Sequence, residues 1–179
     1  MTASPILGVV LAGGQSSRFG SDKALAELGG RSLIVQAVEM LSGWCDHVVI
    51  AGRCEGPAPC LPDWPRPEMG PLAGLAAALR FAVDEGYTAV MSIGVDSPGL
   101  PHNLPDLLGA GPACVAQQPV IGLWPAAKGA RAVEAILGGT GRHSLFALAE
   151  ALGARRVELA VPPPNINSPA DLAAISKDR

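Results

Sequence analysis

Three segments of this chain are almost unbroken apolar runs of strand length: Ile6–Leu11 (ILGVVL), His47–Ala51 (HVVIA) and residues 88–95 (TAVMSIGV). A strand with one wet face alternates apolar and polar residues. These do not alternate, so both of their faces must be buried, as in a parallel sheet covered by helices on either side. The intervening segments supply those helices. Residues 32–41 (SLIVQAVEML) place Leu33, Val38 and Leu41 at helical spacing, with Ser32 as N-cap. Residues 72–83 (LAGLAAALRFAV) form an Ala/Leu helix, with Gly86 just past its end. Strands alternating with helices predict a single-domain, three-layer α/β/α sandwich over residues 1–179, built on a mostly parallel, Rossmann-like sheet. Such sheets bind ligands at the carboxyl ends of their strands, so the informative residues should follow the strands directly.

The remainder fits the same scheme. A short helix is expected at 103–108, two short strands at 113–116 and 120–124 around Gln117-Gln118-Pro119, and helices at 126–137 and 144–152. A last strand is expected at 155–161, where Pro162-Pro163-Pro164 breaks it. A terminal helix follows at 169–176, with Ser168 as N-cap and Pro169 in its first position. Residues 54–71 hold Pro57, Pro59, Pro62, Pro65, Pro67 and Pro71. Proline removes amide donors, so this stretch reads as an ordered irregular loop, anchored by Leu61 and Trp64.

Composition narrows the function classes. The chain has 22 Gly and 17 Pro, but only 16% charged residues and a net charge of −3. It is 49% hydrophobic, which argues against disorder, and its glycines show no collagen period. The acidic balance argues against a nucleic-acid surface. No run approaches the roughly 18 apolar residues of a membrane span, and the start lacks the basic and apolar regions of a signal peptide, so a cytoplasmic protein is expected. Cys45, Cys54, Cys60 and Cys114 form no CxxC pair, and the three histidines lack zinc spacing, so free thiols are expected.

Four constellations can carry chemistry. The first is residues 11–23 (LAGGQSSRFGSDK), where a buried strand opens into Gly13-Gly14 and then Arg18, Gly20 and Lys23. Glycines let the backbone approach a ligand and aim N–H groups at phosphate oxygens, while Arg18 and Lys23 add positive charge. The spacing is neither a P-loop nor GxGxxG, and a plain surface loop is the alternative. The second is Asp96, the first polar residue after the third strand. A carboxylate there suits Mg²⁺, but equally an Asx-turn before Ser97-Pro98. The third is Asn165-Ile166-Asn167-Ser168-Pro169, where alternation aims Asn165 and Asn167 to one side; a helix cap explains it as well. The fourth is residues 69–75 (MGPLAGL), a turn into a helix start that can face an anion or a base, or simply pack closely.

Taken in order, these segments resemble the molybdenum cofactor guanylyltransferases, of the GT-A-like nucleotidyltransferase superfamily. The resemblance runs from Gly8 to Leu172 through LAGG–R-F-G–DKA (11–24), GPLAG (70–74), D-S-P (96–98) and N-I-N-S-P-A-D-L (165–172). It implies transfer of GMP from Mg-GTP to the terminal phosphate of molybdopterin, with release of pyrophosphate. It implies Leu11, Ala12, Gly13 and Gly14 as the loop facing guanine and phosphate, with Asp63 and Gly70 also binding nucleotide. Lys23 would bind phosphate, Arg18 would stabilise transferring charge, and Asp96 would hold Mg²⁺ (or Mn²⁺). Asn165 and Asn167 would complete the acceptor side. The implied partners are GTP, molybdopterin and, transiently, cofactor-synthesis or molybdoenzyme chaperone proteins, with no nucleic acid and no membrane. Two departures stand out: Ala51 where the family often has Asn, and a hairpin shortened to Gln117-Gln118. The alternatives are a cytidylyl-transferring relative (these usually read LAAG), another small-molecule phosphate nucleotidyltransferase, or a silent nucleotide-binding module.

Overall fold

The computed structural model describes residues 4–13 and 22–177. One seven-stranded sheet organises them. Its strands are β1 (Ile6–Leu11), β4 (His47–Ala51), β5 (Cys60–Leu61), β6 (Ala89–Gly94), β7 (Ala113–Val115), β8 (Gly122–Pro125) and β9 (Arg155–Val157), in the order β5-β4-β1-β6-β8-β7-β9. A separate hairpin pairs β2 (Glu27–Leu28) with β3 (Arg31–Ser32). The helices are α1 (Leu33–Ser42), α2 (Pro71–Asp84), α3 (Leu104–Leu108), α4 (Ala126–Gly138), α5 (Leu145–Ala151) and α6 (Pro169–Lys177). Strands β5, β4, β1 and β6 run parallel; β8 is antiparallel to both β6 and β7, and β7 and β9 are parallel again. The expected mostly parallel sandwich is what the chain forms.

The strand pattern explains the layers. Leu7, Val9 and Leu11 of β1 point into one apolar cluster with Leu72, Leu75 and Leu79 of α2 and Val133 of α4. Val10 points to the opposite side, into a second cluster with Ile34 and Leu41 of α1 and Leu104 of α3. Each fully buried aliphatic side chain contributes about 1.5–3 kcal/mol. Gly8 permits the close fit of α1: a Cβ there would lie 3.2 Å from Cβ of Leu41 and from Sγ of Cys45. Leu172 and Ile175 bring α6 onto the second cluster.

Register positions the functional edge. Leu11 lies opposite Ala51 of β4 and Gly94 of β6, so the three central strands end level. Ala12 N–H then donates to Ala51 O (3.0 Å) and Val95 N–H to Leu11 O (3.3 Å), which carries the level past the strand ends.

The structure departs from the sequence expectation in four places. The proline-rich stretch contains β5, because an edge strand needs ladder bonds on one side only, and Ile50 N–H donates to Pro59 O at 2.9 Å. Residues 23–32 hold a 3-10 turn (Lys23–Leu25) and the β2–β3 hairpin, which the apolar pattern did not signal. Strand β8 is antiparallel, a direction that apolarity does not encode. Strand β9 stops at Val157, short of the expected 161. The four cysteines are free thiols, and burial, with Asp46 adding to it, pushes Cys45 up to about 12. Among the described residues, no helix is long and apolar enough to cross a membrane.

One buried polar pair locks β6 to β8. Ser92 is fully buried; its hydroxyl donates to Val120 O (2.8 Å) and accepts from Trp124 Nε1–H (2.9 Å). Removing it strands both partners in the core. Ser92→Ala should cost about 2 kcal/mol, a Tm loss of ~4–8 °C in a chain of this size. Thermal unfolding followed by circular dichroism checks this; an unchanged Tm would mean that Trp124 is held by packing alone.

Candidate active site

Two glycine backbones meet at the level strand ends. Gly52 follows β4 with φ +84°, and a Cβ built there would fall 2.4 Å from both Cα and N of Gly13. Gly52 has no room for a side chain, and a Cβ on Gly13 would press on Gly52 Cα at 3.0 Å, so the ledge beyond β1 and β4 is bare backbone at both. Above it opens a cavity of about 390 Å³, lined by Leu11, Gly13, Gly52, Asp63, Gly70 and Gly74 among others. The start of α2 forms one wall. Gly70 caps it with φ +76°, Pro71 takes the first helical position, and the positive end of the helix dipole points at this side. Gly74 brings the helix close: a Cβ there would lie 3.1 Å from Cβ of Ala51 and 3.3 Å from Oδ1 of Asp63.

Asp63 is placed by the proline-rich loop, which docks on α2 through Trp64 N–H to Ala73 O (3.2 Å). Its Oδ1 is buried without a hydrogen-bond partner, and burial raises its carboxyl above the ordinary carboxylate range. A buried acceptor without a donor is costly, and the residue lies on the cavity wall.

A second cavity of about 430 Å³ shares Leu11, Gly13 and Pro71 with the first and adds Asp96, Gln118, His143, Phe146 and Asn165. Asp96 follows β6. Gly94 makes room for it, since a Cβ on Gly94 would lie 2.6 Å from Asp96 Oδ1. Lys23 Nζ donates to Asp96 Oδ2 at 3.3 Å. The chain after the polyproline break is pinned alongside: Ile166, fully buried, donates its N–H to Asp96 O (3.1 Å). Gln118 accepts from Ser97 Oγ–H (3.2 Å) and donates to Pro163 O (2.8 Å). Asp171 caps α6 by accepting from Asn167 N–H (2.9 Å) and Ser168 N–H (2.8 Å), while its own N–H donates to Ser168 Oγ (3.2 Å). The Asn167 amide first, and then Ser168, hold its carboxyl below the usual range.

The positions singled out in the sequence gather here unevenly. Leu11, Gly13, Asp63 and Gly70 line the first cavity, and Leu11, Gly13, Asp96 and Asn165 the second. Ala12 is half-buried and packs toward α1. Lys23 reaches Asp96. Asn167 is exposed and lines neither of these cavities. Gly14 and Arg18 lie outside the described residues. The sequence reading missed Gly52, Gly94, His143 and Phe146. The glycines at the ends of two apolar strands were a usable signal; His143 and Phe146 gave none, because only tertiary folding brings α5 to this edge.

The donor set suits one kind of metal. Among the described residues, no group of three or more His, Cys, Asp or Glu could hold a metal ion. A single carboxylate at a phosphate-sized opening fits Mg²⁺, which takes one or two carboxylates and completes its shell with substrate phosphates and water; it does not fit zinc.

A bare glycine ledge, a helix start and a strand-end carboxylate are common to many nucleotide-binding α/β proteins, so relatives decide the family. A family model for the MobA-like NTP transferase domain matches residues 8–160. The chain belongs to that family. A molybdenum cofactor guanylyltransferase of Acidiphilium cryptum is 36% identical over 193 aligned positions, covering 99% of this chain and 97% of the relative. One from Rhizobium johnstonii is also 36% identical, covering 94% and 90%. Among solved structures, molybdopterin-guanine dinucleotide biosynthesis protein A from Archaeoglobus fulgidus superposes with a TM-score of 0.77 at 20% identity, covering 96% of this chain and 97% of that one. As a MobA-like protein the chain is a nucleotidyltransferase, a class that typically works with a divalent metal. In this MobA-like site the ledge is the most sterically constrained part. Gly52→Ala forces Gly13 to move and places Ala at φ +84°. It should cost about 1–3 kcal/mol and weaken triphosphate binding at least ten-fold, as read by thermal unfolding and by calorimetric titration with GTP.

Proposed function

We propose that the protein transfers GMP from GTP to the terminal phosphate of molybdopterin, giving molybdopterin guanine dinucleotide and pyrophosphate, with residues 1–179 acting as one nucleotidyltransferase domain. The observation that carries the choice of base is Asp63, a carboxylate that lines the first cavity and whose Oδ1 is buried with no donor. Guanine presents N1–H and N2–H side by side, which an ionised carboxylate can accept together. Cytosine presents one amino N–H beside the N3 lone pair, and that lone pair opposes a carboxylate. A base donating to this carboxylate offsets part of the cost of its burial. The relatives named as guanylyltransferases support the same choice.

In this reading guanine occupies the first cavity and the triphosphate crosses the Gly13 backbone. The α-phosphorus lies near Gly13 and Pro71, which both cavities share. An oxygen of the acceptor phosphate, held in the second cavity, attacks in line. A new P–O bond forms to the α-phosphorus, the α–β bridging bond breaks, and pyrophosphate leaves. Such chemistry needs positioning and charge neutralisation rather than a protein nucleophile. Lys23 and Arg18 supply positive charge to the phosphates. Asp96 would hold Mg²⁺ or Mn²⁺, which when bound neutralises triphosphate charge. Asn165 faces the acceptor beside Asp96, with Asn167 two residues further on. The GTP requirement puts the reaction in the cytoplasm, and transient contact with cofactor-synthesis or molybdoenzyme chaperone proteins would receive the product.

Two measurements test this. With Mg²⁺ present, GTP should raise the Tm more than CTP; a larger CTP shift would support the cytidylyl reading, and no shift with any nucleotide would sink both. Asp63→Asn should erase the GTP preference and yet raise the Tm of the ligand-free protein at pH 7. The sign follows from linkage: folding raises the Asp63 pKa above 3.8, so the cost is present above the folded pKa and disappears once the pH drops below 3.8. The stabilisation by Asn should fade over that acidic window. Separately, Asp96→Ala should lower Mg²⁺-dependent turnover by about 10²-fold or more with the Tm nearly unchanged; near-normal turnover would remove Asp96 from the metal role.

A further inference from the structure

Arg53 follows the ledge glycine and has no part in the mechanism above. Its guanidinium Nη1 donates to both oxygens of Asp22, at 2.7 and 2.6 Å, and its Nε–H donates to Glu55 O at 3.3 Å. The Arg53 side chain is only 19% exposed, which is unusual for a rim arginine. Asp22 in turn caps the 3-10 turn that begins at Lys23, its Oδ1 accepting from Ala24 N–H at 3.2 Å. Lys23 then reaches Asp96 at 3.3 Å. A continuous path of contacts therefore rings the mouth: Gly13 against Gly52, Gly52 bonded to Arg53, Arg53 on Asp22, Asp22 bonded to Lys23, and Lys23 on Asp96.

We infer that Arg53 is a positioning residue for nucleotidyl transfer, holding Asp22 so that the neighbouring Lys23 ammonium is presented to the triphosphate at the end of β6. This rests on the phosphate-binding role proposed for Lys23. The charge arithmetic favours positioning over stability. Asp22 is 42% exposed, and half-exposed ion pairs contribute little to folding. What the pair does supply is geometry. It ties the turn carrying Lys23 to the chain just past β4, whose neighbour Gly52 touches the ledge. Holding a cation within bonding reach of the transferring group is where transfer catalysis gains most, and small displacements there cost large factors in rate. Arginine suits this better than lysine, because its planar fork fixes direction as well as charge.

The test is a double-mutant cycle read as kcat/KM for GTP, with Tm and GTP affinity measured in parallel. Arg53→Met should lower kcat/KM about ten-fold with the Tm within 2 °C of the parent, and Arg53→Lys should recover part of the loss. Asp22→Asn, which keeps an oxygen for Ala24 N–H but loses the charge that holds Arg53, should reproduce the Arg53→Met effect. It also supplies a second route if that variant folds poorly. In a Lys23→Ala background the Arg53→Met change should cost less than about two-fold, because its target is gone. An undiminished ten-fold loss in that background would overturn the inference, since Arg53 would then act on nucleotide or fold directly. If Lys23→Ala alone leaves kcat/KM and GTP affinity unchanged, the role of Lys23 fails first and the positioning role with it.

Discussion

Strand β1 is hydrogen-bonded along both edges and buried on both faces, so neither its register nor its end point can shift without breaking the core. Its partners inherit that rigidity: Leu11 is fixed opposite Ala51 and Gly94, and the chains leaving all three strands emerge at one level. The backbone contact of Gly13 with Gly52, the docking of α2 against Leu11 and Ala51, and the tuck of Asp96 over Gly94 all depend on it. A site built on strand ends is accurate because it borrows the precision of the sheet.

Among the described residues, two ion pairs stand on this rim. Lys23 rests on Asp96 and Arg53 on Asp22. In the ligand-free protein each pair limits the self-repulsion or desolvation that a lone charge would suffer. In the proposed reaction a magnesium–triphosphate complex would offer Asp96 a cation and Lys23 an anion, so both could exchange partners without either being stranded. Asp63 is different: its Oδ1 has no partner in the ligand-free fold, so in its proposed role stability and recognition oppose each other.

What the sequence disclosed divides along the same physical line. Strands β1, β4 and β6 were legible because burial on both faces leaves a one-dimensional trace, an apolar run with a sharp end. Helix α2 and the Ser168 cap of α6 were legible because capping and spacing are local. The antiparallel direction of β8 was not, since direction is set by which strand it pairs with. Strand β5 was hidden because its segment pairs with β4 through backbone groups, Ile50 N–H to Pro59 O among them, irrespective of side-chain pattern. At the site, Gly13 and Asp96 could be read from their place after strands, whereas the Arg53–Asp22 pair joins residues 31 positions apart, and nothing in either neighbourhood marks it. Asp63 was found through resemblance; its orphaned oxygen is visible only in three dimensions.

The same separation bears on where the proposed base choice and the proposed transfer chemistry sit in the fold. The ledge glycines and Asp96 stand one or two residues past the central strands β1, β4 and β6, whose end points the core fixes. Asp63 stands two residues past the edge strand β5, in a loop held by a few backbone bonds and by Trp64 against Arg80, whose guanidinium lies 4.4 Å from the indole centroid. Loops at a sheet edge tolerate substitution and changes of length far better than central strands. On the roles proposed for these residues, transfer chemistry is anchored beside the central strands and base choice is carried in an edge loop, so an exchange of the loop at 54–70 is the change expected to redirect the base.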